Sequence, residues 1–367
     1  IAGKLQVDNT DKTPKLVADL KFDKFDADHF FNLNKKVLFP TVEESDATFI
    51  TKPTFDDSKI DYSSLKAVDF NIQAQAKQLI FRNKTYTDAK IDTALKDGIL
   101  KVADFSAQND ASKIDLQFVL DSNTLPKIQG TYAIKAIAIP NLGGKTYVIE
   151  RSQLDAEGSF SSLAASQQSF FENLDSRGKL QLSGTAVKGW DLDMIKFDFE
   201  QRKNTAGFEE TILNNLKSGR SIFTRVSGKY DITKGLATAE NIIWESPVAN
   251  INMKADLNLN NWLFHATFNA LYHNASFSDV LKFSFDGNLA DPNVQVDLTD
   301  SNKRISETEN MIKTAKNKEE AARKTKLDQQ AEELKSQLND ELQEVSRMTL
   351  SVTQFKPLSQ NTSSFSY

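Results

Sequence analysis

Residues 262–272 read WLFHATFNALY, a stretch in which every second side chain is apolar. A period of two indicates a half-buried β-strand, because successive side chains of an extended chain point to opposite faces of a sheet. The rhythm returns over residues 281–285 and 294–298, on either side of a turn that we place at Asp291-Pro292-Asn293. The pattern predicts three antiparallel strands that share one apolar face.

The same alternation predicts strands along most of residues 1–300. Residues 68–81 alternate and then change phase by one position after Ala76, which predicts a bulge that bends the sheet. From residue 91 to 120 the runs recur about every 8 to 12 residues, the spacing of a ladder of hairpins. We predict a mainly β fold: one elongated, curved, antiparallel sheet that forms a groove.

A few segments depart from this alternation. Between Leu33 and Ser64 no period is visible, and the prolines indicate a long loop. We predict two short helices, one within residues 159–173 and one over residues 208–216. Residues 190–199 read as a further strand.

The character of the sequence changes after residue 300. Residues 301–348 contain no Gly or Pro and are rich in Glu, Lys, Gln and Ala, so we predict one long, exposed helix. An apolar stripe follows it in steps of three and four residues, which suits docking against the sheet, contact with a protein partner or a coiled coil. The stripe consists of Leu327, Ala331, Leu334, Leu338, Leu342 and Val345. The predicted parts are a β region (1–300), the helix (301–348) and a disordered tail (349–367).

Composition limits the partners. The chain has 367 residues, of which 39% are hydrophobic, and a net charge of −5. It therefore folds, and it lacks the surplus of Lys and Arg that nucleic-acid binding requires. The absence of Cys excludes disulfides, thiolate nucleophiles and thiolate metal sites. No window approaches the roughly 18 apolar residues of a membrane-spanning helix. Because strand-like sequence begins almost at Ile1, we expect a C-terminal piece of a longer polypeptide, with any anchor upstream.

Two sequence features could suggest chemistry but favour structural roles. His265 and His273 lie on one side of the same predicted strand but about 26 Å apart, too far to share a metal ion or a proton. Gly144-Lys145-Thr146 resembles the end of a phosphate-binding loop. The motif also requires a Gly at position 139, where this chain has Ile139, and a following helix, so a hairpin turn is favoured.

Two pairs of carboxylates are spaced by two residues, Asp26 with Asp28 and Asp191 with Asp193. On a strand, each pair would share one face, where it could hold a cation or flank a glycosidic bond. Solvated sheet faces produce such pairs routinely. We therefore assign no catalytic residue, no metal ion and no cofactor.

Several segments, taken in their order, resemble the C-terminal region of AsmA-family proteins. They include KLVADLKFDKFDAD (15–28), residues 68–82, KDGIL (96–100) and GNLADPNVQVD (287–297). The last is similar to that family's frequent close, a Gly-x-Leu-x-x-Pro-x-Val run that ends on Asp. The resemblance covers about residues 1–300, and the helix after Ser301 departs from it.

This resemblance implies a periplasmic protein of Gram-negative bacteria that is anchored to the inner membrane through a segment not in this chain. It also implies a long, curved sheet with a hydrophobic inside that conducts phospholipid between membranes or supports outer-membrane assembly. The family has no catalytic residues to carry over.

A sheet with Phe and Leu on one face must cover that face, close on itself or leave the face for a ligand. Our leading hypothesis is a non-enzymatic module that binds or conducts phospholipid or another acyl-chain lipid, each buried methylene contributing about 0.8 kcal/mol. The predicted lining is Leu20, Phe22, Phe70, Ile72, Leu116, Phe118, Phe264, Phe268, Tyr272, Phe283, Phe285, Val294 and Val296.

Two other hypotheses remain. The first is a structural envelope scaffold with a closed core, whose C-terminal helix (301–348) recruits a protein partner. Its contact residues would be Leu327, Leu334, Leu338, Leu342 and Val345. The second is an envelope hydrolase that uses Asp191 and Asp193.

Overall fold

The structure is a computed structural model, and it describes residues 1–10, 13–30, 48–49, 54–81, 84–139, 141–150, 152–202, 204–277 and 280–352. The chain forms two compact units, Ile1–Asn302 and Lys303–Tyr367. The predicted loop between Leu33 and Ser64 lies largely outside the described residues. The predicted tail lies outside them from residue 353 onward.

The described residues of the first unit are built on one β-sheet of 18 strands. The strands are β1 (Ala2–Asp8), β2 (Lys15–Asp26), β3 (Thr48–Phe49), β4 (Asp69–Phe81), β5 (Lys84–Lys96), β6 (Ile99–Asn109), β7 (Ser112–Asp121), β8 (Lys127–Ile139), β9 (Leu142–Gly143), β10 (Val148–Glu150), β11 (Ser152–Leu163), β12 (Asp175–Lys188), β13 (Arg220–Thr233), β14 (Leu236–Glu245), β15 (Ala249–Asn258), β16 (Leu263–Tyr272), β17 (Leu281–Asn288) and β18 (Asp291–Asp297). This architecture confirms the predicted mainly β fold.

Strand pairing follows the chain almost throughout. The order runs β1-β2-β4-β5-β6-β7-β8-β11-β12 and continues in sequence to β18. In this order every neighbouring pair is antiparallel except β2 with β4, which run parallel from Lys15 opposite Asp69 to Asp26 opposite Ile80. Parallel neighbours need a crossover of about a dozen residues or more, and residues 27–68 supply it.

Turn residues explain the hairpins. Asp97 and Gly98 have φ values of +51° and +77°, and Lys234 and Gly235 have +48° and +74°. Two successive residues with positive φ form the turn whose twist matches that of the flanking strands. The predicted turn at Asp291-Pro292-Asn293 is wrong, since these residues open β18 and residues 289–290 make the turn.

Irregular positions along the strands bend the sheet. Ala76 lies opposite Ala89, and Asp88 beside it has φ +50°. The register of β5 against β6 shifts here, between Thr87 and Lys90, so the phase change predicted after Ala76 lies next to an irregularity on β5. Similar shifts interrupt the pairing of β6 with β7, β8 with β11, β13 with β14 and β14 with β15. Bulges increase twist and bend strands, which accounts for the curvature.

The helices in the described part of the chain are α1 (Ala27–Phe30), α2 (Gln167–Glu172), α3 (Leu192–Gln201), α4 (Phe208–Asn215) and α5 (Thr299–Val352). The predicted helix over residues 208–216 is confirmed as α4. The predicted long C-terminal helix is confirmed as α5, which has 54 residues. The helix predicted within residues 159–173 is confirmed only for α2, because residues 159–163 belong to β11.

The prediction of a strand over residues 190–199 is wrong, because this segment leads into α3. The Asp191 carboxylate caps the helix by accepting a hydrogen bond from the Met194 N–H at 3.0 Å. Leu192, Ile195 and Phe199 are at most 1% exposed and follow one helical face. In a short apolar segment the helical and strand patterns overlap, and burial against the sheet decides between them.

Candidate functional site

Cross-strand pairing places the apolar residues of the first unit on one face of the sheet. One row of directly opposed residues crosses β6, β7, β8, β11, β12 and β13. It consists of Val102, Phe118, Gly130, Phe160, Ser176 and Ile232. A neighbouring row crosses the same strands and consists of Phe105, Leu116, Tyr132, Gly158, Gly178 and Tyr230. Opposed residues share a face, so these side chains form one surface.

Two glycines in this surface make room for tyrosine rings. A Cβ atom on Gly158 would lie 2.9 Å from the hydroxyl oxygen of Tyr132. A Cβ atom on Gly178 would lie 2.6 Å from that of Tyr230. Each ring therefore covers glycine backbone on the next strand, an arrangement that keeps the register of a strand containing glycine.

The first strands leave this face partly accessible. Six predicted lining residues are half-buried: Leu20, Phe22, Phe70, Ile72, Leu116 and Phe118. At the β1 edge, Leu5 and Val7 lie opposite Ala18 and Leu16 and are 63% and 56% exposed. Under the larger side chains, Ala76, Ala89 and Ala107 form a small buried cluster. The apolar face on β1, β2 and β4–β8 therefore still meets solvent.

On the last strands, β16 to β18, the same apolar face is covered. Five predicted lining residues are buried: Phe268, Tyr272, Phe283, Phe285 and Val294. Phe264 and Val296 are half-buried. The accessible lining therefore excludes the five buried residues, because the chain's own side chains occupy the space in front of them.

Trp190, which lies two residues before the start of α3, is at the centre of this closed region. Its ring lies 5.3 to 6.1 Å, between ring centroids, from five other aromatic rings. These are Phe223, Trp244, Phe268, Phe283 and Phe285. Further along α3, the Phe199 ring packs on Phe208 of α4 at 4.9 Å and on Tyr272 at 6.4 Å. The two helices and their aromatic residues thus form the cover.

The Gly144-Lys145-Thr146 segment completes this closure and is a hairpin turn between β9 and β10, as predicted. The Lys145 N–H donates to the Ala290 carbonyl at 3.0 Å, which fastens the hairpin to the β17–β18 turn. A Cβ on Gly144 would lie 1.5 Å from that same carbonyl oxygen, so only glycine fits. Next to it, the Tyr147 ring packs on Phe285 at 5.7 Å.

A groove of about 960 Å³ crosses the middle of the sheet. Six strands, β6 to β8 and β11 to β13, each contribute three consecutive residues to it. Val102, Phe118, Phe160 and Ile232 are among its apolar members. Small-molecule sites have volumes of about 300–1,000 Å³, so the groove is large enough for a ligand.

Sequence reasoning found Phe118 in this groove and missed Val102, Phe160 and Ile232. Phe160 was assigned to a helix, whereas it lies on β11. Cross-strand register, which brings β7, β11 and β13 into one row, is not visible in any single segment.

The paired carboxylates do not lie where the strand pattern would put them. Asp191 caps α3 and Asp193 lies in its first turn, so this pair does not share a strand face. Asp26 ends β2 and accepts the His29 N–H at 2.9 Å, while Asp28 lies in α1. Among the described residues, no group of three or more His, Asp or Glu side chains is placed to hold a metal ion.

The histidines of β16 have separate partners. A His265 ring nitrogen lies 3.4 Å from the Asp286 carboxylate on the neighbouring strand. A His273 ring nitrogen lies 3.2 Å from the Pro247 carbonyl. These contacts are structural ones within the sheet and the β14–β15 connection.

The stripe on α5 is open to solvent. Leu327, Leu334, Leu338, Leu342 and Val345 are 57–65% exposed. No helix in the described part of the chain combines the length and the apolar content that spanning a membrane takes.

The fold thus defines a class of protein: an open, curved β-sheet whose single apolar face is sealed at one end and half-buried at the other. Comparisons with family models, with curated proteins and with solved structures found no match to this chain. The resemblance to the AsmA family, with the localisation it implies, stays a prediction.

Proposed function

We propose that the first unit binds acyl-chain lipid on the half-buried part of its apolar face, without catalysis. The observation that carries this proposal is a contrast within one continuous face. Side chains on β2, β4 and β7 remain half-buried, whereas those on β16 to β18 are covered by α3 and α4. Large apolar surfaces that stay open to solvent commonly mark binding sites.

An acyl chain fits this surface better than a polar ligand does. The groove crosses six strands and brings Phe118 and Phe160 into one row. Burial of a methylene contributes about 0.8 kcal/mol and needs no directed hydrogen bond. A surface of alternating Phe, Leu and Ile is therefore expected to accept lipid tails of various lengths.

The proposal extends to phospholipid conduction in the periplasm, close to the inner membrane, in support of the outer membrane. This wider role rests on the resemblance of residues 15–28, 68–82 and 287–297 to AsmA-family segments. The curved sheet with one apolar face is the architecture that such a role requires, because a lipid tail can then pass from one strand to the next.

Photocrosslinking tests the site directly. We expect p-benzoylphenylalanine at Phe118 or Phe160 to form lipid adducts when the full chain is illuminated with phosphatidylethanolamine vesicles, detected by mass spectrometry. The matched control is the same group at Phe197, which is 53% exposed on α3 but outside the groove. Equal labelling at Phe197, or none at the two groove positions, would contradict the proposal.

Replacing two groove residues gives a quantitative prediction. We expect Phe118→Ser with Phe160→Ser to weaken binding of a fluorescent long-chain fatty acid at least tenfold, because a lost apolar contact of about 1.4 kcal/mol already accounts for that factor. Phe197→Ser should bind as the parent chain does. Fluorescence titration measures both, and an unchanged dissociation constant for the double variant would count against the groove.

The alternative function is a structural envelope scaffold. The sealed aromatic cluster around Trp190 favours it for the last strands, since a dry core of this kind has no room for a ligand. Removal of residues 301–367 separates the two functions. Lipid binding should survive this removal if the groove is the site, whereas a scaffold that recruits its partner through α5 should lose that partner.

A further inference from the structure

The charges of α5 lie in two blocks of opposite sign. Residues 313–326 contain six basic and two acidic residues, a net charge of +4. Residues 327–344 contain six acidic residues and one basic residue, a net charge of −5. The side chains of both blocks are exposed. The acidic block also carries the exposed leucines of the stripe, so its partner must combine aliphatic surface with positive charge.

We propose that α5 pairs in antiparallel orientation with α5 of a second copy of this chain. The basic block of each helix then faces the acidic block of the other. When Asp328 is level with Gln329 of the second copy, three acidic residues are level with basic ones. Glu344 is level with Lys313, Glu341 with Lys316 and Glu333 with Lys324, and the two-fold symmetry repeats each of these matches of opposite charge.

The same register gives the leucine stripe the aliphatic stems of lysines as neighbours. Leu342 is level with residue 315 of the second copy, between Lys313 and Lys316, and Leu334 is one position from Lys324. At about 100° per residue these lysines lie on the same face of the helix as the stripe, so their methylene stems can cover the leucines while their ammonium groups stay near the acidic block. From Leu327 to Val345 the stripe advances 18 residues in five steps, close to the roughly 3.6 residues per turn of a straight helix. It therefore stays in line with a straight partner.

Parallel pairing is disfavoured by the same charges. A parallel pair in register would set the +4 blocks side by side and the −5 blocks side by side. In the single chain, Lys313 pairs with Glu309 at 2.9 Å. Such an exposed pair contributes little to stability, so it can exchange for a pair between helices.

Charge reversal tests the pairing on the full chain. The parent should sediment as a dimer of its 41.1 kDa chain. We expect Glu333→Lys, Glu341→Lys and Glu344→Lys together to weaken dimerisation at least tenfold, and Lys313→Glu, Lys316→Glu and Lys324→Glu together to do the same. Each triple variant makes both blocks alike in sign. Mixing the two variants should restore dimers, because both blocks of one variant are positive and both blocks of the other are negative.

Spin labels test the orientation. The chain has no Cys, so a single introduced Cys carries the only label. In the proposed register, residue 346 of one helix lies 35 positions from residue 346 of the other, about 52 Å along the axis. Labels at Ser346→Cys should therefore be far apart and labels at Gln329→Cys close together. A parallel pair would bring both kinds of label close.

The proposal would be overturned by a parent chain that stays monomeric at all concentrations, by a mixture of the charge variants that remains monomeric, or by short distances at both labelled positions. A monomer that binds a separate basic helix through Leu334 and Leu338 would also overturn it. Lipid binding is measured at Phe118 and Phe160, so failure of the dimer and failure of the lipid site are distinguishable.

Discussion

Two tyrosine hydroxyls near the sealed end of the sheet differ in one contact. The Tyr272 hydroxyl has no hydrogen-bond partner among the described residues. Burial, and then the negative charges of Asp193 and Asp191, raise its pKa. The Tyr147 hydroxyl donates to the Leu289 carbonyl at 3.3 Å, and burial raises its pKa to about 12. Both side chains are neutral at pH 7, but only Tyr147 has gained a bond for its hydroxyl.

Substitution by Phe should therefore act in opposite directions at the two sites. We expect Tyr272→Phe to raise the free energy of unfolding by about 1 kcal/mol, because it removes a buried hydroxyl that lacks a partner. Tyr147→Phe should lower it by about 0.5–1.5 kcal/mol, because it removes a hydrogen bond. Urea unfolding at pH 7 measures both changes. A loss of stability in Tyr272→Phe would show that its hydroxyl has a partner after all.

Alkaline pH should destabilise the fold through Tyr147. Its pKa in the folded state, about 12, lies above the ordinary value of 10.0, so the folded state holds the phenolic proton more tightly. The resulting stabilisation is fully present below pH 10 and is lost as the pH rises toward 12. We expect Tyr147→Phe to lose less stability than the parent over this interval. Denaturant midpoints across the interval measure the difference, and identical curves would contradict it.

At the scale of elements, α3 shows how burial selects a helix where alternation suggested a strand. Leu192, Ile195 and Phe199 face the sheet, whereas Phe197 points to solvent with 53% of its side chain exposed. The same helix, which covers Tyr272, therefore offers two phenylalanines with opposite environments.

These two phenylalanines give a matched pair of variants. We expect Phe199→Ala to lower the free energy of unfolding by about 3–5 kcal/mol, because it leaves a cavity between α3, α4 and β16. Phe197→Ala should change it by no more than about 0.5 kcal/mol. Chemical denaturation of the full chain measures both. Similar losses in the two variants would mean that α3 does not pack with the face described here.

At the scale of the whole molecule, a single apolar face serves two purposes. On β13 to β18 it is the core, closed by α3, α4 and the β9–β10 hairpin. On β2, β4 to β8 and the part of β11 to β13 that lines the groove it remains half-buried, and this is the surface to which we assign lipid. The sealed end stabilises the sheet, and the bulges along it curve the open end without interrupting the row from Val102 to Ile232.

Truncation after Ile312 tests whether the sheet is stable without the exposed part of α5. Residues 313–348 are exposed throughout, so their removal should shift the thermal midpoint of the sheet by no more than about 2 °C. The same truncation should abolish the dimer proposed for α5. Differential scanning calorimetry and sedimentation measure the two effects separately. A large drop in the midpoint would mean that these residues contribute to packing.

The sequence by itself determined the features that depend on neighbours along the chain. The alternation over residues 262–272, the Asp97-Gly98 turn and the absence of Gly and Pro from residues 301–348 each act locally. Strands, hairpins and the long helix were therefore predictable from them. The three short-range errors, at residues 159–163, 190–199 and 291–293, arose where the local pattern was compatible with more than one structure.

Only the tertiary structure decided which apolar side chains remain accessible. Phe118 and Phe283 lie in equally regular alternating runs, yet Phe118 is half-buried and Phe283 is 3% exposed. The difference comes from a cover supplied by α3, α4 and the β9–β10 hairpin, elements far from β17 in the chain. A local pattern reports which face of a strand is apolar, but what covers that face depends on contacts between distant segments.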